Sequence, residues 1–196
     1  MRVIAGEFRS RRLKALRGRD VRPTPDRLRE TLFDIIAAEV PGSIFLDAYA
    51  GTGAVGIEAL SRGASRAIFL EKDKAALAVI RDNLQSLGAL GRATVVSGPA
   101  LRELGRIHAD IMFLDPPYPL AEEYGVALEQ VARGSPKLVI VQHSVRFDPS
   151  DGTARLARYR LLKQGDNALS FYQIKPYQIK PQPTEPSPSA KDTPGH

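Results

Sequence analysis

The chain has 196 residues, enough for one α/β domain with a sizeable core. It has no cysteine, which excludes disulfides, thiolate-bound zinc and thiol catalysis, and no run of about 18 apolar residues, which excludes a membrane-spanning helix. The net charge is +6, and residues 1–30 hold all of it: ten Lys or Arg stand against four acids there, while the remainder balances.

A basic arm on a neutral body reads as a polyanion-binding element or, more plainly, as a solvated surface. Met1–Leu16 lacks the apolar stretch of about 7–15 residues that a secretory signal needs. Glu7 and a β-like alternation argue against an organelle transit peptide. With no cysteines, a cytoplasmic location is expected.

In chain order, Arg2–Ala5 and Arg12–Leu16 predict two short strands around a basic turn, a hairpin. In "RPTPDRLRETLFDIIAAEV", Thr24 is placed to cap a helix and Pro25 to open it, because the N–H that proline lacks would be unpaired there. Leu28, Leu32, Ile35 and Ile36 share one helical face, and Pro41-Gly42 ends the helix. Five apolar runs follow: "SIFLD" (43–47), "RAIFLE" (66–71), "RATVVS" (92–97), "ADIMFLD" (109–115) and "KLVIVQ" (137–142). Helices are predicted between them: from the glycine loop to about Arg62, from Asp73 to Leu87, a short one after Ser97, and one near Ala121–Ala132. Such alternation predicts a parallel sheet covered on both faces. "LARYRLLKQ" and "NALSFYQIK", joined across "GDN", read as an antiparallel hairpin that ends the sheet.

The pentapeptide "YQIKP" occurs twice in tandem, at 172–176 and 177–181. The first copy reads as closing the sheet and the second as tail. The Pro/Ser/Thr-rich end is predicted to be disordered. The chain thus divides into a basic N-terminal hairpin extension at 1–24, a catalytic domain at 25–174 and a disordered tail at 175–196.

Ligands of open parallel sheets bind beyond the carboxyl ends of the strands. Asp47, Glu71, Ser97 and Asp115 stand at those ends. The loop "DAYAGTGAVG" carries G-x-G-x-x-G at Gly51, Gly53 and Gly56, where the backbone can approach a ligand closely. Glu71, 20 residues after Gly51, is placed to accept two ribose hydroxyls. This spacing fits a nicotinamide dinucleotide and S-adenosylmethionine almost equally. Asp47 tilts the balance, since a carboxylate suits a methionine ammonium and repels a pyrophosphate.

"DPPY" at 115–118 decides between them. An exocyclic base amine is a poor nucleophile because its lone pair is delocalised into the ring. The Asp115 carboxylate and the Pro116 carbonyl can accept its N–H bonds and make the nitrogen more pyramidal. Pro116 and Pro117 stiffen the backbone, and Tyr118 can stack on a base turned out of its helix.

With these motifs, and with "RVIAGEFRSRRL", "RPTPDRLRETLFD" and "GIEALSRGA", the chain resembles the bacterial 16S ribosomal RNA (guanine-N2) methyltransferases of the small-subunit enzyme D type. The match covers about residues 1–173. The resemblance implies a class I (Rossmann-like) methyltransferase sheet, S-adenosylmethionine as methyl donor, and one guanine of 16S rRNA as target in an assembled or nearly assembled 30S particle. By position it implies cofactor contacts for Asp47, Gly51, Gly53 and Glu71, and amine and base contacts for Asp115, Pro116, Pro117 and Tyr118. The RNA side falls to the hairpin, with Arg9, Arg11 and Arg12, and to Arg22, Thr24, Arg27 and Arg29.

One departure lies in "SGPA", where Pro99 stands at a place often held by Asn or Asp. Ser97 or the Ala100 N–H would then serve the adenine. His143 is read as ordinary polar rim, because a methylated amine can lose its proton without a dedicated base. The expected reaction is direct in-line transfer, aided by alignment and by hydrogen bonds that strengthen as the nitrogen becomes positive. No metal is expected. The nearest rival is an adenine-N6 methyltransferase acting on RNA or DNA, which would normally need a sizeable target-recognition region between these short connections. A glutamine-N5 protein methyltransferase would show Asn before the prolines, and a non-catalytic RNA-binding assembly factor would not need Asp115 and Glu71.

Overall fold

The computed structural model describes residues 1–16, 24–117 and 121–175. The first helix is α1 (Asp26–Ile35). Strands and helices then alternate: β1 (Ile44–Ala48), α2 (Ala54–Ser61), β2 (Arg66–Glu71), α3 (Lys74–Ser86), β3 (Ala93–Ser97), α4 (Ala100–Glu103), β4 (Ile111–Leu114), α5 (Ala121–Ala132), β5 (Leu138–Ser144). The chain closes with β6 (Leu156–Gln164) and β7 (Asn167–Ile174). One seven-stranded sheet has the order β3-β2-β1-β4-β5-β7-β6. Pairs among the first five strands are parallel, and β7 runs antiparallel to both β5 and β6.

The predicted runs become strands because both faces of the sheet are covered. Phe45, Ile111, Phe113 and Ile140 pack beneath α1 and α2. On the other face Leu46, Met112, Leu114 and Val141 pack against α5. The helix α3 starts where Asp73 accepts the Ala75 and Ala76 N–H groups, each at 2.9 Å. Of the tandem pentapeptide, Tyr172–Ile174 lie in β7; Lys175, assigned to the tail, still donates its N–H to Arg155 O at 2.7 Å, and the second copy lies outside the described residues with the rest of the predicted tail.

Three local expectations are corrected. Thr24 does not cap α1: the helix begins after Pro25 with no side-chain cap, and the Thr24 hydroxyl bonds Gln142 Oε1 at 3.2 Å instead. The helix also stops at Ile35 and not at Pro41; Ile36 and Val40 are still buried, now from a turn. The basic arm is a hairpin with a single ladder bridge, Arg2 to Arg12, and not two strands.

The reason lies in where the arm's backbone groups go. Glu58 of α2 accepts the Ile4 and Ala5 N–H groups at 2.8 and 3.0 Å. Ser61 bonds Phe8 N and Ala5 O, and Asn83 of α3 bonds both backbone groups of Lys14. Helix side chains thus take backbone groups that a longer ladder would pair, while Val3 N to Arg11 O, Ser10 N to Val3 O and Leu13 N to Met1 O hold the two halves together. Val3, Phe8 and Leu13 complete the arm's docking by packing with Ile57, Leu60, Phe69 and Ile80.

Candidate active site

The sheet reverses its order of construction between β1 and β4, and a crevice opens there at the strand ends. Asp47 pairs in register with Phe113, so Asp47 and Asp115 project from neighbouring strands onto the α1/α2 side. A cavity of about 240 Å³ lies at this point. Asp47, Tyr49, Gly51, Phe113 and Asp115 line it from the sheet and loop, and Met1, Leu16 and Thr24 from the N-terminal segment.

The glycine loop is built for close approach. Gly53 precedes α2 with φ 77°, a left-handed conformation that favours glycine. At Gly56 a Cβ would sit 2.4 Å from Phe69 Cε1 and 3.1 Å from Asp47 Cβ, so only glycine lets α2 close onto β1 and β2. Its N–H then donates to Asp47 Oδ2 at 2.8 Å. Gly51 has φ 54°, and its N–H donates to Glu71 Oε2 at 2.9 Å.

Asp47 is buried, and desolvation pushes its carboxyl up to about 8, only partly offset by the Gly56 N–H. A desolvated carboxylate of this kind is relieved by a cation, so the cavity suits an ammonium group such as that of S-adenosylmethionine. Glu71 is half-buried; its Oε1 accepts the Lys72 and Asp73 N–H groups at 2.8 Å each. Three N–H bonds fix this carboxylate, so its one remaining lone pair is open to a single hydroxyl and not to the two expected. Ser97 pairs in register with Glu71 and is exposed, whereas Ala100 is buried at the start of α4.

Asp115 is half-buried, and desolvation pushes its carboxyl up to about 7. Its Oδ2 accepts the Gln142 Nε2 at 3.2 Å. Pro116 is buried and its carbonyl accepts the Tyr124 hydroxyl at 3.3 Å, which leaves one lone pair for a further donor. Pro117 is exposed, and Tyr118 lies outside the described residues.

His143 is not polar rim: it is 2 % exposed. Its Nδ1 bonds the Ser144 carbonyl and its Nε2 the Ser170 hydroxyl, both at 2.9 Å. A carbonyl only accepts, so Nδ1 carries the proton, and burial lowers the pKa and keeps the ring neutral.

Arg29 corrects the expected RNA side. It is fully buried. Its Nη2 donates to the Arg2 carbonyl at 2.6 Å and to Asp26 Oδ1 at 3.1 Å, and its Nε lies 3.7 Å from Glu58 Oε2. Arg29 therefore braces the arm from behind and faces no solvent. Arg9, Arg11, Arg12 and Arg27 are exposed, and Arg11 also donates to Ser86 O at 2.8 Å. Arg22 lies outside the described residues.

Sequence reasoning missed Gln142, Tyr124, Glu58 and Asn83. Gln142 carried a signal, being the polar residue at the end of an otherwise apolar run and one place beyond the Leu114–Val141 pair. Among the described residues no three His, Asp or Glu gather as metal ligands, and no helix is long and apolar enough to cross a membrane.

The family described as Conserved hypothetical protein 95 matches residues 1–173. The chain belongs to this family. Among its curated relatives, Ribosomal RNA small subunit methyltransferase D of Haemophilus influenzae is 41% identical over 123 residues, 60% of this chain and 64% of that protein. The protein of the same name from Escherichia coli K12 is 42% identical over 121 residues, 60% of each chain. The matched stretch therefore spans less than two thirds of either relative.

Among solved structures, Escherichia coli yhhF superposes with a TM-score of 0.80 at 31% identity, covering 90% of this chain and 99% of that one. An RNA methyltransferase from Salinibacter ruber in complex with S-adenosyl-L-homocysteine gives a TM-score of 0.62 over 81% of this chain and 97% of that one. At 20% identity it shows the shared fold alone. The fold is that of class I methyltransferases, as the sequence resemblance implied.

Proposed function

We propose that the protein transfers a methyl group from S-adenosylmethionine to the exocyclic N2 amine of one guanine in 16S rRNA. The substrate in this reading is an assembled or nearly assembled 30S particle, in the cytoplasm. The observation that carries the reading is the half-buried Asp115 carboxylate at the cavity shared with Asp47 and Gly51. The names of the relatives from Haemophilus influenzae and Escherichia coli support the rRNA substrate.

Asp47 takes the ammonium, Gly51 and Gly53 give way to the cofactor's middle, and Glu71 takes the ribose. Ser97 or the Ala100 N–H serves the adenine. The cofactor supplies an electrophilic methyl group when bound. Asp115 and the free lone pair of the Pro116 carbonyl accept the two N–H bonds of the amine, and Pro117 and Tyr118 hold the base. These acceptors localise the nitrogen lone pair on the nitrogen. As the new N–C bond forms, the methyl group's bond to the donor sulfur would break and leave its electron pair on that sulfur; the positive charge passes to the nitrogen, which then loses a proton to water. Acceptors already fixed by the fold stabilise that charge without reorganising. Arg9, Arg11, Arg12, Arg22 and Arg27 hold RNA phosphates, and Thr24 borders the substrate side. In this reading residues 1–24 are the RNA-binding extension, 25–174 the catalytic domain and 175–196 a dispensable tail.

The test is methyl incorporation into free 16S RNA, 30S particles, DNA and protein, followed by nucleoside mass spectrometry. N2-methylguanosine from 30S particles supports the reading. N6-methyladenosine, or methylated protein, overturns it.

A further inference from the structure

The residue next to Asp115 across the sheet is Gln142. Leu114 of β4 pairs with Val141 of β5, so the next residue of each strand meets its neighbour on the same face. Gln142 is 3 % exposed, and its amide bonds two partners of different kind. Nε2 donates to Asp115 Oδ2 at 3.2 Å, and Oε1 accepts the Thr24 hydroxyl at 3.2 Å. An ionised carboxylate only accepts, so it requires the NH₂ end of the amide. Turned round, the amide would set its oxygen against that carboxylate.

We infer that Gln142 is a positioning residue for methyl transfer: its amide holds Asp115 Oδ2, presents the other carboxylate oxygen to the target amine and is itself oriented by Thr24. This rests on the proposed role of Asp115. It also gives Thr24 a second task. Thr24 directly precedes Pro25 at the head of α1, so the start of that helix and the reacting carboxylate share one hydrogen-bonded line.

The groups around Asp115 make the contact consequential. From β1, Asp47 is the titratable neighbour, and its charge and that of Asp115 disfavour each other. From the loop after β1, Tyr49 lines the same cavity, and its hydroxyl interacts with Glu123 of α5. Tyr124 of α5 bonds the adjacent Pro116 carbonyl. Among these described neighbours Gln142 is the donor to the carboxylate itself. Such a donor favours the ionised form, in which both oxygens only accept, against the burial that opposes it.

The test compares wild type with Gln142→Met, Gln142→Glu, Thr24→Val and Thr24→Ser on 30S particles, across pH. Gln142→Met keeps length and removes the donor. Its kcat should fall about tenfold to a hundredfold, the scale of a hydrogen bond to a charged group. The acid limb of its profile should move up by about one pH unit, with KM for particles near wild type. Gln142→Glu places a second carboxyl against the first and should move the limb further. Thr24→Val should show the smaller shift of the same sign, and Thr24→Ser should restore it. Independently of turnover, the Asp115 carboxyl carbon should titrate higher by NMR in cofactor-free Gln142→Met than in wild type. Melting and S-adenosylhomocysteine binding identify any variant that has lost its fold, and Thr24→Val then carries the test. A wild type that does not form N2-methylguanosine defeats the proposed function. A wild type that does, beside a Gln142→Met with unmoved limb and unmoved titration, overturns this inference alone.

Discussion

Replacing Arg29 by Ala separates the two roles its charge suggests. If Arg29 faced RNA, the variant would bind particles poorly and melt like wild type. The structure predicts the opposite. Arg29 and Glu58 are both 0 % exposed, 3.7 Å apart, and Arg29 also holds the Arg2 carbonyl at 2.6 Å. Removing one partner of a buried pair costs about 3–5 kcal/mol. Glu58 keeps the Arg62 Nε at 2.9 Å and the Ile4 and Ala5 N–H groups, so the low end, about 3 kcal/mol, applies. At about 2–4 °C per kcal/mol for a domain of this size, melting should fall by about 6–12 °C. Thermal unfolding by circular dichroism reads this, with Arg27→Ala as the exposed control on the same helix, expected within about 0.5 kcal/mol of wild type. Limited proteolysis should also open the arm of the Arg29 variant first. A Tm unchanged in Arg29→Ala, with particle binding lost, would refute the bracing role.

Asp47→Asn should trade binding for stability. Burial raises the Asp47 pKa from 3.8 to about 8, so the folded state holds a proton that the unfolded state releases, and the resulting stability is lost as pH rises between those values. The cofactor-free Asn variant should therefore melt above wild type at pH 8, lose that advantage toward pH 4, and bind S-adenosylmethionine more weakly by calorimetry. Glu71→Ala should weaken the same binding about tenfold to a hundredfold, since a carboxylate that accepts a ribose hydroxyl makes a charge-assisted bond; an unchanged Kd excludes Glu71 from the ribose. Changing Arg9, Arg11 and Arg12 together to Ala should weaken binding to 30S particles and flatten its salt dependence, each lost phosphate contact removing about one counterion from the release. Cofactor affinity should stay level in that variant, and a wild-type salt series would count against the arm.

Much of the fold was legible because apolar runs, glycines and chain breaks report it directly. "RAIFLE" is β2 residue for residue, and Ala121–Ala132 is α5. The spacing of Asp47, the glycines and Asp115 also placed the crevice, since strand ends follow from strand boundaries. What stayed hidden depends on tertiary partners. Thr24 has the residue type and position of a helix cap, yet Gln142, 118 positions away, takes its hydroxyl. The arm is the hairpin its sequence suggests, but Glu58, Ser61 and Asn83 take backbone groups that two full strands would have paired. Arg29 counts as surface charge until its place is noticed: it precedes Phe33 by four and Ile36 by seven, on the stripe that α1 buries. Local pattern gives the face of a helix, and only packing says that an arginine on that face is paired inside.

The most direct measurement is single-turnover methyl transfer to 30S particles by wild type and by Asp115→Ala, with S-adenosylhomocysteine binding measured on both. The carboxylate faces the amine in this account and not the cofactor, so binding should stay near wild type. Removing a preorganised polar partner of the developing charge should slow the chemical step by about 10²–10³-fold. A variant that binds cofactor normally and keeps most of its single-turnover rate would contradict the assignment of Asp115, and with it the site.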